Sequence, residues 1–500
     1  MNRILANCQS DRFLQMVWAI DGIQSSRCDR AAKFIEHTND FVTTDLTSRY
    51  FVHKWSLEDL CNSYFSIRSA KKSPAAVDCL AIGSWVSLIN EQHSVQDAEA
   101  GVYLRSKNIF DELTRIGHKQ FDWQIGFFNV PQFYRAAFLF FGPDSSNFFS
   151  ERYGIALDRF VLVGFALFSQ FATHPFVVLP PDLTQLGVTS EEFDGCLRLI
   201  ARNVDTAYSD ATELHRGFPS SSFRPSILRS RPCIILEQDS KIACPLIDLL
   251  LLRITDGIYF DLMADASGNI RTEIGQRFEL YVNNLISSYF PEIQIMPEFR
   301  YGGRAARRDS PDFLLENDGR LRLLIECKAK KMTIESRYSD WPSDRLPSDA
   351  EEIAKGIFQI WRFVADCESG RVPDRGPIEG VLASIVTLES WTNLSQNRRE
   401  RLFARANALA DEHSSQIEER HRVPVSFCEI KDLERLLRDA STESLLSTFE
   451  QAATPAFQGW HLSSIHSQQF PEQRAQRDYP FKDNLGEFLP WWNNEQLGSN

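Results

Sequence analysis

Hydrophobic residues in the first part of the chain recur mostly at spacings of three and four. The segment 156–171 shows this spacing clearly, and proline and glycine separate it from its neighbours. Such a pattern is typical of amphipathic helices. We therefore predict a mainly helical region over residues 1–230, which serves regulation or assembly with a second copy of the chain or with a partner protein.

Within this region, residues 183–201 predict a helix, a turn at Gly187 and a second helix. The second helix should begin with a capping box from Thr189 to Glu192. This outline resembles a helix-turn-helix, but the second helix begins with acidic residues. Acidic side chains would face the phosphates of DNA, so the sequence disfavours DNA reading by this element.

Two kinds of pattern follow. Residues 233–245 alternate apolar and polar positions around a polar turn, which predicts a hairpin. Together with a connecting helix, this hairpin forms a predicted linking segment, 231–270.

From residue 271 helical and strand patterns alternate, and the order predicts an α/β domain with a mixed sheet over 271–440. A C-terminal helix and tail are expected over 441–500. The predicted elements of the α/β domain are a helix over 273–289, strands over 293–299, 312–316 and 321–328, a helix over 350–366, a strand over 381–387, a helix over 395–412 and a strand over 424–430.

Composition narrows the classes of protein. The 500 residues carry a net charge of −13, so any nucleic acid must be met by a local basic patch rather than by bulk charge. The ten cysteines are scattered without a CxxC pair, which favours a reducing compartment. The most apolar segment, 160–168, is far shorter than the ~20 residues that span a bilayer. We expect a soluble, cytoplasmic protein without a membrane partner.

The segment 310–330, SPDFLLENDGRLRLLIECKAK, carries the candidate chemistry. It predicts two strands joined by a turn near Asp318. A turn centred there pairs Asp312 with about Leu324, which makes Asp312 and Glu326 diagonal neighbours across the hairpin. Two carboxylates are thus predicted to converge.

Alternation along the second strand adds a lysine to the two acids. Glu326 and Lys328 should point to one face, and Ile325 and Cys327 to the other. Paired carboxylates at a strand pair suit Mg²⁺ or Mn²⁺. A neighbouring ammonium can orient a water molecule and stabilise developing negative charge.

These residues resemble the signature of the PD-(D/E)xK nuclease superfamily. Pro311-Asp312 is followed after thirteen residues by Glu326-Cys327-Lys328, so both the PD pair and the ExK triplet are complete. The resemblance implies that the two acids and the main-chain carbonyl of Cys327 bind the metal and that Lys328 positions the nucleophile.

The resemblance covers roughly residues 271–389 and extends to the fold. It implies a restriction-endonuclease-like core of α-β-β-β-α-β order, preceded here by the helical region. In related nucleases a glutamate on the first helix completes the metal shell, and Glu279 is the candidate here; the alternative is a solvated glutamate at the edge of the helix. Gln359 on the second helix resembles a glutamine of the Mrr-like and recombination-type branches, and its alternative is an ordinary exposed glutamine.

A cluster of basic residues surrounds the motif. This cluster supplies the local positive charge that the acidic chain otherwise lacks and is predicted to bind nucleic acid; the alternative is a solvated loop. The candidate residues are Arg300, Arg304, Arg307, Arg308, Lys330 and Lys331. The histidines show no HxxxH or HxH spacing, and no GxxxxGK[ST] sequence is present, so zinc catalysis and ATP binding are unsupported.

The sequence therefore predicts a Mg²⁺- or Mn²⁺-dependent nuclease. The resemblance implies DNA ahead of RNA as substrate, and by analogy a role in restriction or anti-phage defence. Two alternatives stay open: an RNA endonuclease, and a non-catalytic nucleic-acid-binding or assembly protein that keeps the nuclease fold.

Overall fold

The computed structural model describes most of the chain and divides it into two units. The first unit comprises Met1–Asn108, Lys119–Ile270 and Asn484–Asn500, and the second Ile109–His118 and Arg271–Asp483. The segment 231–270 lies in the first unit, and the predicted C-terminal region 441–500 is shared between both. The described residues are 1–67, 77–106, 109–127, 129–218, 220–236, 240–264, 268–304, 307–376, 378–392, 394–413, 417–473 and 477–492.

Helices dominate the first part of the chain, as the periodicity predicts. The largest buried side chains there are aromatic, among them Trp18, Tyr64 and Phe160, and the Trp18 indole N–H donates to the Phe171 carbonyl at 2.8 Å. The helices are α1 (Asn2–Leu5), α2 (Ser10–Ile23), α3 (Cys28–Ala31), α4 (Lys54–Ser66), α5 (Ile82–Ser106), α6 (Ile109–Ile125), α7 (Val130–Phe140), α8 (Pro143–Tyr153), α9 (Leu157–Phe171), α10 (Ser190–Ile200), α11 (Val204–Leu214), α12 (Asp248–Arg253) and α13 (Ile258–Met263).

The first unit also contains a four-stranded sheet. Its strands are β1 (Phe176–Val178), β2 (Ala201–Asn203), β3 (Cys233–Leu236) and β4 (Lys241–Ala243), in the order β1-β4-β3-β2. The antiparallel β3–β4 pair confirms the hairpin predicted over 233–245. The sequence did not reveal β1 and β2, because three residues are too few to show an alternating pattern.

The segment 183–201 is only partly as predicted. Thr189 accepts from the Glu192 N–H, and the Glu192 side chain accepts from the Thr189 N–H, which confirms the capping box at the start of α10. The first predicted helix is wrong, because Thr184–Leu186 form only a short 3₁₀ turn. A single helix of this kind is not a helix-turn-helix.

The second unit is a mixed α/β structure. Its five-stranded sheet consists of β5 (Gln294–Pro297), β8 (Phe313–Asn317), β9 (Arg320–Lys328), β10 (Leu382–Thr387) and β11 (Val425–Glu429), in the order β11-β10-β9-β8-β5. Strands β9, β10 and β11 are parallel, whereas β8 is antiparallel to β5 and β9. All eight elements predicted over 273–430 are present, with ends shifted by a few residues. The elements are α14 (Gly268–Tyr289), β5 (Gln294–Pro297), β6 (Arg300–Tyr301), β7 (Arg308–Asp309), β8 (Phe313–Asn317), β9 (Arg320–Lys328), α15 (Ile334–Tyr338), α16 (Ser348–Glu368), β10 (Leu382–Thr387), α17 (Gln396–His413), β11 (Val425–Glu429), α18 (Ile430–Asp439), α19 (Thr442–Ala452) and α20 (Leu462–Gln469).

Helix α16 packs on β9 and β10 and closes the core of this unit. Its apolar residues at helical spacing, Ile353, Ile357, Trp361 and Val364, are all buried. The apolar stripe on α14, from Ile274 to Tyr289, is buried as well. Both helices therefore present one apolar face to the interior and leave their flanks for polar groups.

The register of the β8–β9 hairpin corrects the predicted one. Leu324 pairs with Leu314, not with Asp312. The turn consists of two residues rather than a single central one, and the register shifts again between Leu315 and Glu316. Together these features move Asp312 directly beside Glu326 instead of diagonally across from it.

Trp492 is buried in the first unit, with its ring 5.7 Å from that of Phe133. None of the ten cysteines forms a disulfide. Among the described residues, no single helix has both the length and the apolar character needed to cross a bilayer, although the bent pair α8 and α9 together meets that criterion of length and composition.

Candidate active site

A tight turn brings the two parts of the motif together at the far end of the β8–β9 hairpin. Asp318 and Gly319 form the turn with φ values of 52° and 70°, the positive values that a two-residue hairpin turn favours. Asp312 immediately precedes β8 and lies beside Glu326. The main-chain N–H of Cys327 donates to Asp312 Oδ2 at 2.5 Å, so the hairpin itself fixes the first carboxylate.

Lys328 lies on the same side of β9 as Glu326, as the alternation predicts. Its Nζ donates to Glu326 Oε1 at 2.8 Å and to Gln359 Oε1 on α16 at 3.2 Å. The side chain of Lys328 is 19% exposed and that of Glu326 is 4% exposed. The ammonium is therefore held at two points, while one side remains open to solvent.

The site carries more negative charge than its lysine compensates. Burial, followed by the charges of Glu326 and Glu279, raises the pKa of Asp312 to about 9, although the Cys327 N–H and Lys328 act in the opposite direction. Burial by itself lowers the pKa of Lys328, but the charge and hydrogen bond of Glu326 and the charge of Asp312 raise it above its usual value. An added cation would relieve this repulsion.

Two further glutamates contribute to the negative field. Glu279 on α14 is half-buried; burial, then the charges of Glu298 and Glu326, raise its pKa. Burial, then Asp309 and Glu326, raise the pKa of Glu298. Glu279 thus lies within electrostatic range of the motif, in agreement with its predicted placement near the site. Glu298 was not among the predicted residues.

Helix α16 presents one face to the lysine. Glu352, Gly356 and Gln359 follow one another at four and three residues, the spacing that places side chains on a single helix face. The Glu352 pKa is lowered by its hydrogen bond to Lys355 and also by the charges of Lys330 and Lys328. Of these three residues only Gln359 was predicted from the sequence, although the same spacing could have identified Glu352 and Gly356.

Whether these residues suit a divalent metal is a question of charge and of ligand number. Among the described residues, no three His, Cys, Asp or Glu side chains form a group that could hold a metal ion as they stand. Mg²⁺, however, is commonly held through one or two carboxylates and keeps several waters. Asp312 and Glu326 fit that requirement, and the raised pKa of Asp312 marks the excess negative charge that a cation would balance.

The predicted basic residues fall into two groups. Arg308 Nη1 lies 2.7 Å from both oxygens of the buried Asp366, which also accepts from the Tyr301 hydroxyl at 2.8 Å. Lys331 is buried, with Nζ 3.7 Å from Glu389 Oε1. These two cations already neutralise carboxylates of the fold.

The other basic residues are closer to solvent. Arg304 and Arg307 are exposed in the segment between β6 and β7. Arg300 is 74% exposed and pairs with Asp309 at 3.1 Å. Lys330 is partly buried, and its charge reaches Glu352 on α16. Arg304 and Arg307 are therefore accessible from solvent.

Comparison of the chain with protein-family models, with curated proteins and with solved structures gives no match in any of the three.

Proposed function

We propose that the second unit is a metal-dependent phosphodiester hydrolase, a nuclease of the PD-(D/E)xK type. The observation that carries the proposal is the convergence of Asp312, Glu326 and Lys328 at the end of one hairpin, with negative charge in excess. Strongly perturbed carboxylates beside a specific charge partner are typical of functional sites. The order α14, β5, β8, β9, α16, β10 supports a restriction-endonuclease-like core around them.

Each residue has a distinct part in the proposal. Asp312 and Glu326 would hold Mg²⁺ or Mn²⁺, together with the main-chain carbonyl of Cys327 and, on α14, Glu279. Bound there, the cation supplies Lewis-acid polarisation of a phosphate oxygen. Lys328 orients the attacking water and stabilises the negative charge that develops at phosphorus.

Gln359 belongs to the proposal through Lys328. Its Oε1 accepts from Lys328 Nζ at 3.2 Å, which keeps the ammonium from swinging toward solvent. Arg304 and Arg307, with Arg300 and Lys330, are proposed to contact the phosphate backbone. Basic groups at exposed positions give affinity without base specificity.

DNA is the proposed substrate, with restriction or anti-phage defence as the setting. Both rest on the resemblance, in which DNA-cutting enzymes predominate. The cytoplasm is the proposed location, because it would keep the ten unpaired cysteines reduced. The helical first unit is proposed to regulate the enzyme or to assemble it with a second copy or a partner protein.

The test is cleavage by the purified full chain of supercoiled plasmid, linear duplex, single-stranded DNA and RNA. Each substrate is offered with Mg²⁺, with Mn²⁺ and with excess chelator. Asp312→Asn, purified identically, is the matched control for a contaminating nuclease. Cleavage that requires metal and is absent from the variant supports the proposal, and the preferred substrate decides between DNA and RNA.

Two results would count against it. Equal cleavage by wild type and Asp312→Asn would assign the activity to a contaminant. Metal-independent binding of nucleic acid without cleavage of any substrate would favour the non-catalytic alternative.

A further inference from the structure

A glycine occupies the centre of the helix that faces the candidate catalytic lysine. Gly356 lies in the middle of α16, a helix of 21 residues, and is buried. Glycine is among the least favourable residues in a helix interior because it gains the most freedom on unfolding. Gly356 does not have the positive φ that would require glycine. The backbone therefore does not explain this residue.

The surroundings of Gly356 do explain it. A Cβ atom placed on Gly356 would lie 3.2 Å from Lys328 Cε, 3.3 Å from Ile385 Cδ1 and 3.5 Å from Glu326 Cγ. The first two distances are shorter than ordinary carbon–carbon contacts. Two of the three neighbours are side chains of the candidate site. The missing side chain thus leaves the space in which the Lys328 stem lies against the helix.

That space determines what Lys328 can reach. The lysine stem passes Gly356 and places Nζ 2.8 Å from Glu326 Oε1 and 3.2 Å from Gln359 Oε1, one helical turn beyond the glycine. A methyl group would press on Cε, the atom next to Nζ. Of the atoms around it, the end of the lysine side chain is the most easily displaced, whereas Ile385 is buried in the sheet.

We propose that Gly356 is a positioning residue for Lys328: its lack of a side chain fixes the ammonium between Glu326 and Gln359. The proposal rests on the proposed nuclease function for its effect on cleavage. The placement of Lys328 can be measured without it. The competing interpretation is that Gly356 only allows α16 to approach the sheet closely, in which case its replacement would lower stability and leave Lys328 in place.

The experiment compares Gly356→Ala with Gly275→Ala. Gly275 lies inside α14, also lacks a positive φ, and a Cβ there would meet nothing within 4 Å. Both variants gain the same helix preference, and only one crowds the lysine. For Gly356→Ala we expect single-turnover cleavage at saturating nucleic acid and metal to fall by about 10- to 100-fold, since a shift of about 1 Å in a catalytic group costs on that order. Metal affinity and nucleic-acid affinity should change less than about twofold, because the ligands stay in place.

A second readout follows Lys328 itself. Acetylation by acetic anhydride, quantified by peptide mass spectrometry, compares Lys328 on β9 with Lys355 on α16. The Lys355 side chain is 49% exposed. Lys328 should react slowly relative to Lys355 in wild type and in Gly275→Ala. It should react several-fold faster in Gly356→Ala, because the displaced ammonium is no longer held at two points.

Rescue separates crowding from a general packing defect. Ile385→Val removes Cδ1, one of the two atoms that the new methyl group would approach more closely than an ordinary contact. The double variant Gly356→Ala/Ile385→Val should therefore regain part of the lost rate and of the protection of Lys328, whereas two independent packing defects would add.

The outcomes keep the two proposals apart. If wild type cleaves, and Gly356→Ala cleaves at the same rate with Lys328 still protected, the positioning role is overturned and the nuclease function stands. If wild type cleaves no substrate, the function fails, and the acetylation of Lys328 still decides the positioning role. Loss of activity that only follows a loss of folded protein, with Lys328 unchanged in the folded fraction, would also overturn it.

Discussion

Each unit of this protein buries a pair of carboxylates, and the two pairs are neutralised differently. In the first unit, Glu58 accepts from Arg229 at 2.8 and 3.1 Å and from the Trp123 indole at 2.8 Å, while Asp59 forms an ion pair with Lys119. Each acid of this pair thus has a cation of its own. Burial raises the pKa of Glu58, but Arg229 and the Trp123 N–H leave it below its usual value. At Asp59 burial outweighs Lys119 and raises the pKa to about 7, which is less than the rise at Asp312.

The pair in the second unit lacks this balance. Asp312 and Glu326 share one ammonium, that of Lys328, and Glu279 adds further negative charge nearby. A buried carboxylate without a full counter-charge is costly for folding. The first pair is therefore neutralised within the fold, whereas the second is costly until a proton or a bound cation neutralises it.

The strongest of the predicted effects is the loss of cleavage in Asp312→Asn. Removing one carboxylate ligand should reduce the rate by at least about 10³-fold, equivalent to about 4 kcal/mol of activation free energy. Without metal, the variant should be at least as stable to heat as wild type, because a carboxyl group whose pKa is raised to about 9 must take up a proton on folding at neutral pH, whereas asparagine need not. Single-turnover assays and thermal unfolding at neutral pH measure both. Cleavage by Asp312→Asn at the wild-type rate, or a marked loss of its stability, would contradict the distinction drawn between the two carboxylate pairs.

Lys328→Ala should affect the rate and not metal binding. Loss of one electrostatic contact in the transition state costs about 10²–10³ in rate, or about 3–4 kcal/mol. Calorimetry should still detect the metal, because both carboxylates remain. The matched control is Lys355→Ala, an exposed lysine on α16, which should cleave like wild type. If Lys328→Ala cleaves within a few-fold of the wild-type rate, Lys328 is only a solvated neighbour of the site.

Glu58→Ala tests the pair in the first unit. It leaves Arg229 without its main partner, and the free energy of unfolding should fall by about 3 kcal/mol, as when a buried ion pair is broken on one side. Urea unfolding measures the change. The control is Asp122→Ala, which removes a weaker partner of Arg229 at 3.3 Å with 31% exposure and should cost less than about 1 kcal/mol. Equal losses in the two variants would refute the structural role given to Glu58.

The smallest effects concern the arginines, which show the same contrast among cations. Arg308 neutralises the buried Asp366, whereas Arg304 and Arg307 are exposed. The Arg304→Ala/Arg307→Ala variant should unfold like wild type, bind all nucleic acids more weakly and flatten the log–log salt dependence by up to about one unit per lost contact. Arg308→Ala should instead lower stability. An unchanged salt slope in the double variant would assign these arginines to solvent.

The sequence predicted the α/β elements of the second unit because their periodicity is strong and their cores are apolar. It also brought Glu326 and Lys328 to one face, since alternation along a strand is a local property. It did not predict the register of Asp312, which depends on the turn and on the shift at Leu315. No local pattern could show that the space beside Gly356 is filled by Lys328, because that contact joins distant parts of the chain.

Short or irregular elements were predicted less well. The strand Phe176–Val178 and the 3₁₀ turn Thr184–Leu186 have only three residues each, which is too few to show a periodic pattern. The sequence also did not show which arginines neutralise buried carboxylates and which are exposed. Arg307 and Arg308 are neighbours in sequence, but Arg308 pairs with the buried Asp366 whereas Arg307 is exposed.

The position of Cys327 affects how the candidate site responds to oxidation and which substitutions it tolerates. Its main-chain N–H holds Asp312, whereas its thiol is buried, and burial followed by the charges of Asp312 and Glu326 raises the pKa of the thiol well above its usual value. The thiolate that peroxides and alkylating reagents attack is therefore scarce, and oxidative stress should leave the centre intact. Because every amino acid except proline supplies the same N–H, position 327 is free to drift among small apolar residues without altering the charges around it.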